Sequence, residues 1–149
     1  QTVIELGVLI AVLIVLSNVS WTFLLIVPIM ALFVLFTTGI ALVVGLANVY
    51  YRDVGYLVGV VLNFLFYLTP IIYPLSIVPT DYSVLGIPII DILEANPMTA
   101  FVQASRDVLY LLESPTPGEW LWLVVLTAVS FFGGWALFRR YSGTVVDEL

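Results

Sequence analysis

Three uninterrupted runs without an Asp, Glu, Lys or Arg constrain this chain most: Leu6 to Tyr51, Val54 to Thr80, and Trp120 to Phe138. Each is long enough to cross a bilayer, which takes about twenty consecutive apolar residues in a helix. A buried helix of a soluble protein would need polar neighbours elsewhere in the chain to form an outer surface. They are missing, since 62% of the 149 residues are hydrophobic and 9% are charged, where an ordinary soluble domain carries about a quarter charged. On insertion scales a central Leu, Ile, Phe or Val contributes roughly −0.3 to −0.6 kcal/mol, so about twenty of them outweigh the few embedded polar groups. The expected fold class is all-α: a polytopic membrane helix bundle of about four transmembrane helices plus an external re-entrant or amphipathic helical segment.

The run from Leu6 to Tyr51 is roughly twice the hydrocarbon thickness as one helix, so it must turn once. Ser17-Asn18-Val19-Ser20-Trp21 supplies the polar residues and the interfacial Trp for that turn. This predicts a first span over 3–17, cut short upstream, and a second over 22–48. Arg52-Asp53 closes the second, and Asp53 is the expected N-cap of a third span over 54–73, with Pro70 and Pro74 marking where it kinks and stops. A last span over 120–138 opens with a capping box, Thr116 with Glu119, and with Pro117 at the first helical position.

The stretch 75–119 is irregular and is predicted to stay external. Asn96-Pro97 reads as a cap and helix start, after which Met98, Phe101, Val102, Val108, Leu109 and Leu112 recur at helical spacing, opposite Gln103, Arg106, Asp107 and Tyr110. Such an amphipathic helix, charged near its middle, lies in or dips into the interface. Val84 to Leu93, interrupted by Pro88, suits the descending arm of a re-entrant hairpin. Topology agrees by counting. Arg52 and the pair Arg139-Arg140 both face the cytoplasm by the positive-inside rule only if an even number of crossings separates them. Two spans do so, leaving 75–119 outside and the tail 141–149 in the cytoplasm.

Residue types missing from the chain narrow its chemistry. It has no Lys, His or Cys, so it has no P-loop lysine for ATP phosphates, no thiolate or imidazole metal site, and no nucleophile–histidine pair. Any ATP-driven role must then be supplied by a partner, and no cofactor or metal is expected. Asp91 with Glu94 is the sole close acidic pair in a candidate site, and a solvated loop edge is the plainer reading of it. A net charge of −6 argues against nucleic acid as a partner. Gly55 and Gly59 form a GxxxG, and Gly133-Gly134 sits in the last span; either serves close helix packing or local flexibility. Arg106 with Asp107 is an ionisable pair near the membrane, open to a salt bridge or a substrate role. Phe64, Phe66, Tyr67 and Tyr73 cluster in the outer half of the third span, where aromatics pack, meet lipid, or stack on sugar rings.

Ala47-Asn48-Val49-Tyr50-Tyr51-Arg52-Asp53-Val54, then Tyr67-Leu68-Thr69-Pro70-Ile71-Ile72-Tyr73-Pro74, then Asn96-Pro97-Met98 and Arg106, occur in an order that resembles the permeases of type-2 ABC exporters. The nearest branch is the one exporting lipid-linked polysaccharide: O-antigen, capsule or teichoic acid. The resemblance covers essentially the whole chain. It implies a six-span permease in the cytoplasmic membrane, of which the last four spans are present, working as a homodimer driven by a separate ATP-binding ABC subunit. It implies that 75–119, with Asn96 and Pro97, forms paired re-entrant helices at the external mouth. Tyr67, Tyr73, Phe64 and Arg106 become candidates for the substrate channel, and Arg52 and Asp53 for the cytoplasmic, ATPase-facing side. Alternatives are a permease of the same family for a drug or lipid, a membrane-embedded cell-envelope enzyme using Asp91 and Glu94, and a scaffold subunit.

Overall fold

The computed structural model describes residues 4–5, 7–8, 11–12, 21–71, 73, 75–79, 83–84 and 86–145. Residues 4–5, 7–8 and 11–12 are helical; the rest of the first predicted span, its turn at 17–20, and 146–149 lie outside the described residues.

A 3₁₀ turn, Trp21–Leu25, leads into helix α1, Ile26–Tyr50. Pro28 is tolerated because it sits in the first turn, where a backbone N–H has no partner in any case. With the 3₁₀ turn the helical stretch covers Trp21–Tyr50, against the expected span 22–48. A tight turn at Tyr51–Asp53 then reverses the chain into α2, Val54–Leu68. The expected Asp53 cap does not form: its backbone is already helical (φ −82°, ψ −8°) and its side chain makes no capping bond, whereas a cap needs an extended residue. Asn48 closes the turn instead, its Oδ1 accepting from Gly55 N at 3.1 Å. α2 also ends short of the expected Tyr73. Pro70 disfavours helical geometry in the residue before it, and Thr69 is accordingly extended (φ −90°, ψ 126°).

Beyond α2 the chain forms a small antiparallel ribbon, β1 (Ser83–Val84) with β2 (Ile87–Pro88), turning through Gly86 at φ 83°. Helix α3, Ile89–Glu94, follows, and then α4, Pro97–Arg106, which runs on through one π-helical turn, Asp107–Leu111. Leu112, left-handed at φ 60°, ends it. Helix α5, Pro117–Val145, starts on the predicted capping box: Thr116 N donates to Glu119 Oε2 at 2.6 Å and Glu119 N to Thr116 Oγ1 at 3.3 Å. It extends past Phe138 through Arg139 and Arg140 into the expected tail, because Arg is a good helix former and both side chains are exposed.

The described residues form a fragment of a helical membrane bundle. Two helical stretches, Trp21–Tyr50 and Pro117–Ser142, are long and apolar enough to cross a membrane, and only 22% and 17% of their most apolar windows are buried. A soluble core helix would be mostly covered, so these faces are built for lipid or for other helices. α1 and α5 pack along their lengths with contacts that advance together. Thr127 Oγ1 donates to Leu32 O (3.3 Å), Ser130 Oγ donates to Phe36 O (2.8 Å), and Gly134 meets Gly39 backbone to backbone. Helices whose contacts advance in this way are parallel, so Arg52 and Arg139-Arg140 lie at the same end of the bundle. Small residues let the backbones approach, and the hydroxyls supply cohesion where hydrophobic driving force is absent. Gly134 is therefore a packing residue, while a methyl at Gly133 or Gly59 would meet nothing within 4 Å, and Gly55 meets only the Asn48 side chain of α1.

α4 runs antiparallel to α1. Phe101 packs on Phe33 and Phe36 with ring centroids 5.2 and 5.3 Å apart, and Thr22 Oγ1 donates to Val108 O at 3.0 Å. Phe101, Ala104, Val108 and Leu109 join Ile26, Ile29, Phe36 and Leu123 in one core between α1, α4 and α5.

Candidate functional site

The end of α2 and both halves of α4 are tied together by polar side chains in an otherwise apolar setting. Pro70 breaks α2, and Thr69 retains the last turn by donating both N–H and Oγ1–H to Leu65 O, at 2.8 and 2.7 Å. The Thr69 hydroxyl also accepts from Asn96 Nδ2 at 3.0 Å. Asn96 is extended (φ −71°, ψ 119°) and its Oδ1 accepts from Met98 N at 3.0 Å, capping α4. Thr69, Pro70 and Asn96 are all buried. Ten residues along α4, Arg106 reaches back: Nη2 donates to Pro70 O and Ile71 O, each at 3.1 Å, and Nη1 to Gln103 Oε1 at 3.4 Å. Carbonyls orphaned by the helix break thus find a cationic donor, which also suits the negative end of the helix dipole. Three motifs separated in sequence form one joint between α2 and α4.

Beside the joint lies a cleft of about 400 Å³ between α1, α2 and α4, walled by Met30, Phe33, Leu62, Phe66, Met98 and Val102. On the other side of α4, Asp107 faces α5. Partial burial, then Glu119 and Glu113, push its carboxyl above the usual range, with Arg106 the weakest influence and opposing. Arg106 therefore serves the α2 joint more than its sequence neighbour. Among the described residues no group of three or more His, Cys, Asp or Glu could hold a metal ion. Asp91 and Glu94 are exposed on α3.

The family model for the ABC-2 type transporter matches residues 1–110, about three quarters of the chain and inclusive of every residue of the joint. The chain belongs to the ABC-2 transporter membrane family. No curated protein and no solved structure matches it. Membership makes this a membrane-embedded transport subunit of an ABC exporter, with ATP handled by an ABC ATP-binding partner and not by the chain itself.

Within this ABC-2 family chain the sequence-derived residues separate into two groups. Asn96 and Arg106 both bond to the end of α2 at the joint, and Pro97 is the first residue of α4. Phe64 and Tyr67 stand on the outer surface of α2, 68% and 78% exposed, and no residue of α2 is fully buried. Tyr73 falls beyond the helix and is half-buried, while Arg52 and Asp53 are exposed in the α1–α2 turn at the opposite end of α2 from the joint. Gly39, Thr127 and Ser130, which hold α1 to α5, escaped the sequence reading. The signal available was a Gly and two hydroxyl residues inside charge-free helices.

Proposed function

We propose that this chain is permease machinery of an ATP-driven exporter for a lipid-linked polysaccharide, operating as a homodimer in the cytoplasmic membrane. The observation carrying this reading is the uncovered aromatic face of α2, where Tyr56, Phe64 and Tyr67 are all exposed along one helix. Aromatic rings bind sugar faces without fixing one register, as a sliding polymer requires. Phe64 and Tyr67, with Tyr73 above them, would line the path between two copies. The ATP-binding partner would engage the end carrying Arg52, Asp53 and Arg139-Arg140, and 75–119 would form the external mouth.

Force reaches that mouth through the joint. A tilt of α2 imposed at Arg52-Asp53 moves Thr69 and Pro70, and these are bonded to Asn96 at the start of α4 and to Arg106 at its end. α4 follows α2 as one piece, so opening at the dimer interface and movement of the external segment are a single event. The test is export of polymer in cells carrying the double variant Tyr67→Ala, Tyr73→Ala. Export should fall while the ATP-binding partner still co-purifies; undiminished export would count against the lining role. The same face would also take a small amphiphilic drug or lipid, a reading favoured by the apolar cleft, and loss of drug or lipid efflux with intact polymer export would select it.

A further inference from the structure

We propose that the cleft between α1, α2 and α4 holds an acyl chain of a bilayer phospholipid whose phosphate is bound by Arg106. The cleft's size falls within the range of ligand sites, about 300–1,000 Å³. Its walls are Met and Phe with aliphatic residues, side chains that adapt to a flexible hydrocarbon. The two hydroxyls in its lining are already committed: Thr69 Oγ1 donates to Leu65 O, and Ser105 Oγ to Phe101 O at 2.8 Å. With both hydroxyl donors spent and the rest of the lining apolar, the cleft suits a hydrocarbon better than a sugar.

The charge sits where a headgroup would be. Ile71 both lines the cleft and accepts from Arg106, so the guanidinium lies at that rim. Of its five N–H donors, three are used, on Pro70 O, Ile71 O and Gln103 Oε1. Two remain, and its charge is met by carbonyls at that rim. A phosphate is the planar guanidinium's natural complement. Depth agrees as well. Arg106 lies two residues before Val108, whose carbonyl meets Thr22, and Trp21, 68% exposed, is placed as an interfacial anchor beside it. The cleft runs from that level along α1 toward Phe33, which is the direction of an acyl chain below its headgroup.

The inference rests on the membrane placement alone, and its test needs no export. The complete permease with its ATP-binding partner is reconstituted in bilayers containing phosphatidylglycerol that carries a photoreactive diazirine on one acyl chain, and adducts are mapped by mass spectrometry. Labelling is expected at Met30, Phe66 and Met98. Diacylglycerol bearing the same chain should label about tenfold less, since it lacks the phosphate that makes a charge-assisted bond. Val102→Trp, which fills the cleft, should abolish labelling. Arg106→Gln should reduce phosphatidylglycerol to the diacylglycerol level, and the lipid comparison stands even where that variant loosens the joint. Absence of adducts at these residues, labelling that survives Val102→Trp, or equal labelling by the two lipids would each overturn the proposal. The first result would mean that protein covers the cleft in the assembled transporter. Loss of polymer export in any experiment would leave the outcome unchanged.

Discussion

Replacing Gly134 by Ala should weaken the bundle more than any other single methyl added to α5. A Cβ at Gly134 would stand 2.9 Å from the carbonyl carbon and 3.1 Å from Cα of Gly39, and would overlap the carbonyl oxygen. Ordinary contact between carbons is about 3.5–4.0 Å, so α1 and α5 must part by roughly 1 Å. Both obstructing groups are backbone and cannot rotate away. The Thr127–Leu32 hydrogen bond, already 3.3 Å, would then stretch past bonding distance. Overpacking costs about 1–3 kcal/mol and one lost interhelical bond in a membrane about 0.6 kcal/mol, giving roughly 1.5–3.5 kcal/mol in all. Gly133→Ala is the internal control, because nothing lies within 4 Å of the methyl it would add. Unfolding of the purified transporter by heat or by titration with denaturing detergent should separate the two variants clearly. Equal stability of Gly134→Ala and Gly133→Ala would refute the close crossing.

The remaining expectations concern α4 and its surroundings. Asn96→Ala removes the cap of α4 and the partner of the Thr69 hydroxyl, and should cost about 1–2 kcal/mol in the same unfolding measurement. Thr99→Val should be neutral or stabilising, because the Thr99 hydroxyl is buried with no hydrogen-bond partner and Val keeps its shape. Asp107, in the segment outside the long spans, has its pKa raised on folding, so the folded state holds more protons than the unfolded one just above pH 3.8. Stability from this group is therefore present at low pH and lost as pH rises through the folded pKa. Asp107→Asn should flatten that part of the stability–pH curve and leave the protein more stable at neutral pH; an unchanged curve would remove Asp107 as its source.

Features set by neighbouring residues were legible in the sequence. Asn96 caps α4, and Thr116 with Glu119 starts α5, because a cap needs only a side chain and a backbone N–H two or three residues away. Asp53 shows the limit of that logic: the right residue type does not cap when the turn leaves its backbone helical. The end of α2 needed only Pro70 and its effect on Thr69, yet the apolar run through Tyr73 obscured it. The charge-free run ends at Phe138 but α5 does not, because charge alone does not end a helix with good formers and access to water.

What the linear pattern withheld was mutual placement. Arg106 was visible as an ionisable group in an apolar stretch, but its acceptors, the carbonyls of Pro70 and Ile71, exist only because α2 breaks there and α4 folds back beside it. Gly39 carries no distinguishing neighbour; its role arises from meeting Gly134 on a helix far along the chain. Even the aromatic residues of α2 followed this rule. Phe64 and Tyr67 share a helix surface, whereas Tyr73 lies past the break on a different course.

The arrangement in which α1 and α5 run side by side in the same direction is tested most directly by sidedness. The chain contains no Cys, so Arg52→Cys and Arg140→Cys each introduce a unique thiol within it. Labelled with a membrane-impermeant maleimide in sealed vesicles of known orientation, both thiols should react from the cytoplasmic face. Reaction of the two from opposite faces would mean that the chain between α2 and α5 crosses the bilayer, contradicting the fold and the role assigned to its external segment.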